Sequence, residues 1–173
     1  MIPRLPSLAL LGLLVACLSP AGVAQELPAA PEGNVLDLSD ALDPTAEARI
    51  ARLLAETEEQ TGVEMEVAVL PAIAEHGGAG ARLEDYAARL FATWETGAEE
   101  RNDGILILVA TGSAEARIAL GSDYPEVYEK RAARVLSTAM LPALLEGRVA
   151  EGVEAGVLSA RGPRGAPRHP RAP

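Results

Sequence analysis

The chain has 173 residues with 49% apolar and 23% charged side chains, which excludes a disordered polypeptide and leaves room for one ordinary domain rather than two. Its formal charge of −10 is unevenly placed: residues 25 to 160 hold ten Lys and Arg against all 25 Asp and Glu, a balance of −15. So acidic a body repels phosphate backbones, which argues against nucleic acid as a partner, and it attracts hard cations.

Met1-Ile2-Pro3-Arg4 followed by the apolar stretch Leu5 to Leu18 reads as a secretory signal over residues 1–24. The stretch is shorter than the roughly 20 apolar residues of a membrane span. Two processing sites compete. Gly22-Val23-Ala24 before Gln25 suits an ordinary signal peptidase, whereas Leu14-Val15-Ala16-Cys17 resembles a bacterial lipobox that would leave a lipidated Cys17. Release after Ala24 is preferred, because that small-residue site is well formed and the apolar region runs on to Leu18. The expected location is therefore periplasmic or secreted, with a membrane-anchored lipoprotein as the alternative and Cys17 as the sole route to the membrane. Cys17 is also the only cysteine, so release would leave no thiol nucleophile, disulfide or thiolate ligand.

Residues 25–32 form a Pro-containing spacer, and Asn34 to Asp37 read as a short extended segment. Asp43 then caps a helix that starts at Pro44, carries Ile50, Leu53 and Leu54 on its apolar stripe, and stops at Gly62. Val63, Met65, Val67 and Val69 alternate with Glu64, Glu66 and Ala68 up to Pro71, which predicts a strand with one buried and one wet face. A glycine loop at His76 to Gly80 leads to a helix with Leu83, Tyr86, Ala87, Leu90, Phe91 and Trp94 at helical spacing. That spacing marks the aromatics as core rather than as a stacking patch.

An acidic connection from Gly97 to Asp103 precedes Gly104 to Val109, a continuous apolar run that fits a central strand buried on both faces. Thr111-Gly112-Ser113 turns the chain into Ala116 to Leu120, read as its antiparallel neighbour. Helices follow at Val127 to Leu141, interrupted by Pro142, and around Val149, Val153 and Val157. The order implies an α/β domain: a small mixed β-sheet sandwiched between α-helices, over residues 33–160. Residues 161–173, with four Arg, four Pro and two Gly, have the composition of a disordered tail.

Four segments match one family in order and spacing: Val35-Leu36-Asp37 before a Pro-started acidic helix, Asp85 to Trp94, Arg101 to Val109, and Arg117 to Gly121. Together they resemble the TPM domain, which occurs in bacterial envelope proteins, in thylakoid-lumen proteins linked to photosystem II repair and in a nematode receptor accessory protein. The resemblance implies a mixed sheet between helices, calcium or related cation binding in some members, and acid phosphatase activity in some but not others. Two departures stand out. The family's usual Asp-Asn-Gly before the central strand is Asn102-Asp103-Gly104 here, and its common Gly-Tyr-Gly-Leu-Glu is replaced by Gly121-Ser122-Asp123-Tyr124-Pro125.

On that resemblance the metal candidates are Asp37, Asn102 and Asp103, whose oxygens suit Ca²⁺ or another divalent cation, with Asp40 and Asp123 as weaker additions. The residues by themselves admit a plainer reading, in which Asp37 caps a turn and Asn102-Asp103-Gly104 is turn chemistry. No Asp-x-Asp-x-Thr stretch supplies an aspartyl nucleophile, and His76 and His169 both read as solvent-exposed. A catalytic route would thus rest on carboxylate-held metal, with Arg101 or Arg117 as phosphate contacts, although Arg101 also suits pairing with Glu99 or Glu100 and Arg117 with acids on a strand surface. Two functions follow as expectations. One is an exported cation-binding accessory module that contacts an unidentified envelope protein; the other is a metal-dependent acid phosphatase of low turnover on phosphomonoesters or phosphoproteins. The sequence leaves open whether the chain is an enzyme.

Overall fold

Asp43 opens the first helix, α1 (Pro44–Thr61), by accepting the Thr45 and Ala46 backbone N–H groups at 2.8 and 2.9 Å, with Pro44 at the first helical position. Gly62 closes it in the left-handed conformation, its N–H returning to the Glu58 carbonyl. The structure, a computed structural model, describes residues 26–97 and 102–161. The signal read over residues 1–24 and all but Arg161 of the tail read over 161–173 lie outside the described residues.

Four strands form one sheet in the order β1 (Val35–Asp37), β2 (Met65–Leu70), β3 (Ile105–Ala110) and β4 (Glu115–Leu120). The first three run parallel and β4 is antiparallel to β3. Every residue of β3 is buried, as the unbroken apolar run predicts. Alternate side chains feed two cores. Val67, Val69, Ile107, Val109 and Ile118 meet Ile50 and Leu54 of α1 on one face. On the other face Ala68, Leu70, Leu106 and Leu108 meet Tyr86, Leu90 and Trp94 of α2 (Leu83–Trp94). Each Val, Leu or Ile so placed contributes about 1.5–3 kcal/mol relative to exposure.

The helices α1 and α2 link β1 to β2 and β2 to β3 in the same lateral direction yet cover opposite faces. Two such crossovers have opposite hands, so one departs from the usual right-handed rule. This departure is what sandwiches the sheet. It also overturns the wet face expected for the strand Val63 to Val69: all of β2 is buried, Glu66 included, because β1 and β3 flank it and helices cover both sides.

The first face is completed by α3 (Glu126–Val135), α4 (Leu141–Leu145) and α5 (Val149–Ala160). Between α3 and α4 the chain takes one π turn at Leu136–Met140. Pro142, expected to interrupt the third helix, follows directly on the π turn in the first turn of α4, with the backbone helical at Met140 and Leu141 before it. Met140 is fully buried against α5, and a Cβ added at Gly156 would come within 2.6 Å of its Sδ. Within the segment read as a spacer, Leu27 packs on the second core and Trp94 Nε1 donates to the Pro28 carbonyl at 2.8 Å.

Candidate functional site

Parallel register decides which of the candidate residues can meet. Asp37 aligns with Val69 and, through it, with Val109, at the carboxyl ends of the parallel strands. Asn102 and Asp103 precede β3 at the opposite, amino end. Asp103 lies six residues before Val109, which at about 3.3 Å per strand residue separates it from Asp37 by roughly 20 Å along the strands, with two strand spacings besides. Asp37 therefore does not join Asn102 and Asp103 around one ion.

The Asp37 carboxylate serves its own turn. Oδ1 accepts from the Ser39 N–H and hydroxyl, each at 2.9 Å, and Oδ2 accepts from the Leu42 N–H at 2.7 Å. Those bonds shape residues 37 to 42 ahead of α1, which is the capping role the residues alone suggest. Asp40 stands exposed in the same turn at φ 51°.

At the amino end, the loops before β3 and after β4 are latched together because antiparallel pairing brings them side by side. Asn102, at φ 41°, donates from Nδ2 to Ser122 Oγ at 2.9 Å; Asn is among the residues that adopt this region most readily. Gly121 N–H donates to the Gly104 carbonyl at 3.0 Å, Asp123 N–H to the Asn102 carbonyl at 3.4 Å, and the Tyr124 hydroxyl to the Asp103 carbonyl at 2.8 Å. Only glycine fits at 121, since a Cβ there would fall 1.8 Å from the Asn102 carbonyl oxygen. Asp103 is buried, 3% exposed, while Asn102, Ser122 and Asp123 face solvent. Asp123, a weaker addition in the sequence, is thus beside the two motif residues.

Behind these loops sit two acids of the β2 segment. Glu64 Oε2 accepts the Gly97 N–H at 2.9 Å, and Glu66 accepts the Thr96 hydroxyl, tying the end of α2 to the sheet. Burial raises the Glu66 carboxyl above its ordinary range, the Thr96 hydrogen bond opposes the rise, and the Glu64 charge adds to it. Sequence reading missed Glu66, because alternation with Val67 and Met65 assigned it to solvent. The available signal was the neighbouring unbroken run of β3, which implies a sheet covered on both faces.

The remaining candidates divide. Arg117 is committed to acids on both flanking helices, with Nη2 3.1 Å from Glu129 and 3.5 Å from Glu84, as its strand position suggests. The aromatics Tyr86 and Trp94 are core, and burial pushes the Tyr86 phenol up to about 12. His76 is half-buried, and its carbonyl accepts the Tyr86 hydroxyl at 2.8 Å. Arg101, Cys17 and His169 lie outside the described residues.

In donor type the amino-end loops fit a hard cation, since Asn102, Asp103, Ser122, Asp123 and the adjoining carbonyls all offer oxygen. In charge the fit is modest: among the described residues no three His, Cys, Asp or Glu stand close enough to hold a metal together.

Fold and loops define a small α/β domain that presents an oxygen-rich edge at the amino ends of its parallel strands. The TPM domain matches residues 35–162. Among solved structures, the N-terminal domain of a P. gingivalis protein is similar at 27% identity and TM-score 0.62, covering 73% of this chain and 78% of that one. The N-terminal domain of a Corynebacterium glutamicum protein is similar at 15% identity and TM-score 0.59, covering 79% and 84%. The BA42 protein of the psychrophilic bacterium Bizionia argentinensis is similar at 17% identity and TM-score 0.57, covering 72% and 82%. No curated protein matches the chain. The chain belongs to the TPM domain family.

Proposed function

We propose that this TPM-domain protein is an exported accessory module of the cell envelope. It takes up a divalent cation, Ca²⁺ foremost, on the loop pair Asn102–Gly104 and Gly121–Tyr124, and acts through contacts with an envelope protein. The observation that carries this reading is the latch between the two loops, which sets exposed Asn102, Ser122 and Asp123 beside buried Asp103 without drawing on Asp37. Two carboxylates and neutral oxygens suit weak capture, with Kd about 10⁻⁴ to 10⁻³ M, the range of extracellular calcium modules. The leader supports export, and among the described residues no helix is long and apolar enough to cross a membrane.

Calorimetry with CaCl₂ on the mature chain tests the reading when paired with a chromogenic phosphate ester. Asp123→Asn, at an exposed position, is expected to weaken binding about tenfold or more with no ester turnover in either protein. Asp37→Asn is expected to bind as the unaltered chain does. Turnover that requires the cation and disappears in Asp123→Asn would replace this reading with the metal-dependent phosphatase.

A further inference from the structure

We propose that Glu64 is a positioning residue for the loop Asn102–Gly104: it fastens both ends of the segment 97–104 and so sets where Asn102 and Asp103 stand against Gly121–Tyr124. The inference rests on the cation reading for what the loop is positioned to do, and on geometry alone for the positioning itself.

Glu64 Oε2 accepts the Gly97 N–H at 2.9 Å, and the Glu64 main-chain carbonyl accepts the Ile105 N–H at 2.9 Å. One residue thus holds the chain as it leaves α2 and again as it enters β3. The two ends it holds are packed backbone on backbone. A Cβ added at Gly97 would fall 2.5 Å from the Gly104 nitrogen, and one added at Gly104 would fall 2.4 Å from the Thr96 carbonyl oxygen. Glu66, two residues on and therefore on the same face of the sheet, accepts the Thr96 hydroxyl beside this junction. The other side of Asn102–Gly104 is held by the loop Gly121–Tyr124, so the segment is gripped from two directions. Releasing one grip frees the oxygen-bearing residues to wander relative to Ser122 and Asp123. Groups that orient the ligands of a metal without touching it change its affinity by about 10–100-fold when they are removed.

Two substitutions separate reach from charge. Glu64→Gln keeps an oxygen acceptor at the same reach and removes the charge, whereas Glu64→Asp keeps the charge and withdraws it by one methylene. In calcium-free, ¹⁵N-labelled residues 25–173, Glu64→Asp is expected to move the Asn102–Gly104 amide shifts and to speed the exchange of those amides with solvent about tenfold or more. Glu64→Gln is expected to leave both near their unaltered values, and the Leu106 and Leu108 amides of β3 are expected to stay protected in both variants. In titrations with CaCl₂, Glu64→Asp is expected to bind about tenfold weaker and Glu64→Gln to stay within about twofold of the unaltered chain. Asn102–Gly104 amides unmoved by Glu64→Asp overturn the positioning role. Loss of Ca²⁺ uptake in Glu64→Gln overturns it too, because Glu64 would then act through its charge. Absence of Ca²⁺ uptake in the unaltered chain would remove the cation reading alone, with the calcium-free shifts still deciding the positioning.

Discussion

At the carboxyl ends of the parallel strands, Asp37 turns its carboxylate back on its own loop and accepts three hydrogen bonds from residues 39 and 42. At the amino ends, the loops 102–104 and 121–124 bind one another through backbone groups, the Asn102 amide and the Tyr124 hydroxyl, which leaves Asn102, Ser122 and Asp123 exposed on the edge. Both ends hold acidic residues that match one family motif, yet the Asp37 carboxylate is taken up by its own turn, whereas Asp103 is buried where the two amino-end loops join. Residue type and order do not distinguish them. Which end of a strand a residue occupies does.

The contrast breaks most sharply at Gly121. Gly121→Ala forces a Cβ into the Asn102 carbonyl, so a loss of about 3 kcal/mol in denaturant unfolding is expected, together with loss of Ca²⁺ uptake. Gly33→Ala, with nothing within 4 Å, should fall within about 0.5 kcal/mol of the unaltered chain. A neutral Gly121→Ala would mean that the two loops are not latched.

Asp37→Ala addresses the other end. It strands the donors of Ser39 and Leu42, and a cost of about 1–3 kcal/mol is expected from the shift in the unfolding midpoint, with Ca²⁺ uptake unchanged. Loss of uptake in a folded Asp37→Ala would erase the distinction between the ends.

Glu66 makes the stability of the amino end depend on pH. Its carboxyl titrates above the ordinary range because it is buried, so across that interval the folded chain binds more protons than the unfolded one. Stability from this group is therefore fullest below the ordinary carboxyl pKa and falls as pH rises through the raised value. Glu66→Gln keeps an oxygen acceptor for Thr96 and removes the charge. It should be more stable than the unaltered chain at pH about 7, with the gap closing toward pH about 4 in parallel thermal melts. A gap that widens on acidification would contradict the burial argument.

The smallest effect belongs to Arg117, midway between the ends opposite Leu108. Its pairs with Glu84 and Glu129 are partly exposed, so Arg117→Gln should cost less than about 1 kcal/mol in denaturant unfolding and leave cation uptake intact.

Much of the fold was legible because local chemistry and tertiary context agree. Asp43-Pro44 and Gly62 mark the limits of α1, the run Ile105 to Val109 can only be a covered strand, and Leu83 to Trp94 repeat at helical spacing. Glu66 was legible only indirectly, through the unbroken run of β3. Its alternating neighbours describe a half-exposed strand, and only the passage of α2 to the face opposite α1 buries it. Leu27 and Pro28 read as spacer because nothing nearby in sequence shows that Trp94 receives them. The split between Asp37 and Asp103 escapes a linear reading for the same reason: parallel register sets it, and register depends on residues some thirty to seventy positions away.

The separation of roles between the two ends is tested most directly by amide chemical shifts of ¹⁵N-labelled residues 25–173 during titration with CaCl₂. Saturable shifts confined to Asn102–Gly104 and Gly121–Tyr124 are expected, with the Asp37–Leu42 amides unmoved; shifts centred on Asp37–Leu42, or none at either end at millimolar Ca²⁺, would mean that the two ends do not divide their roles in this way.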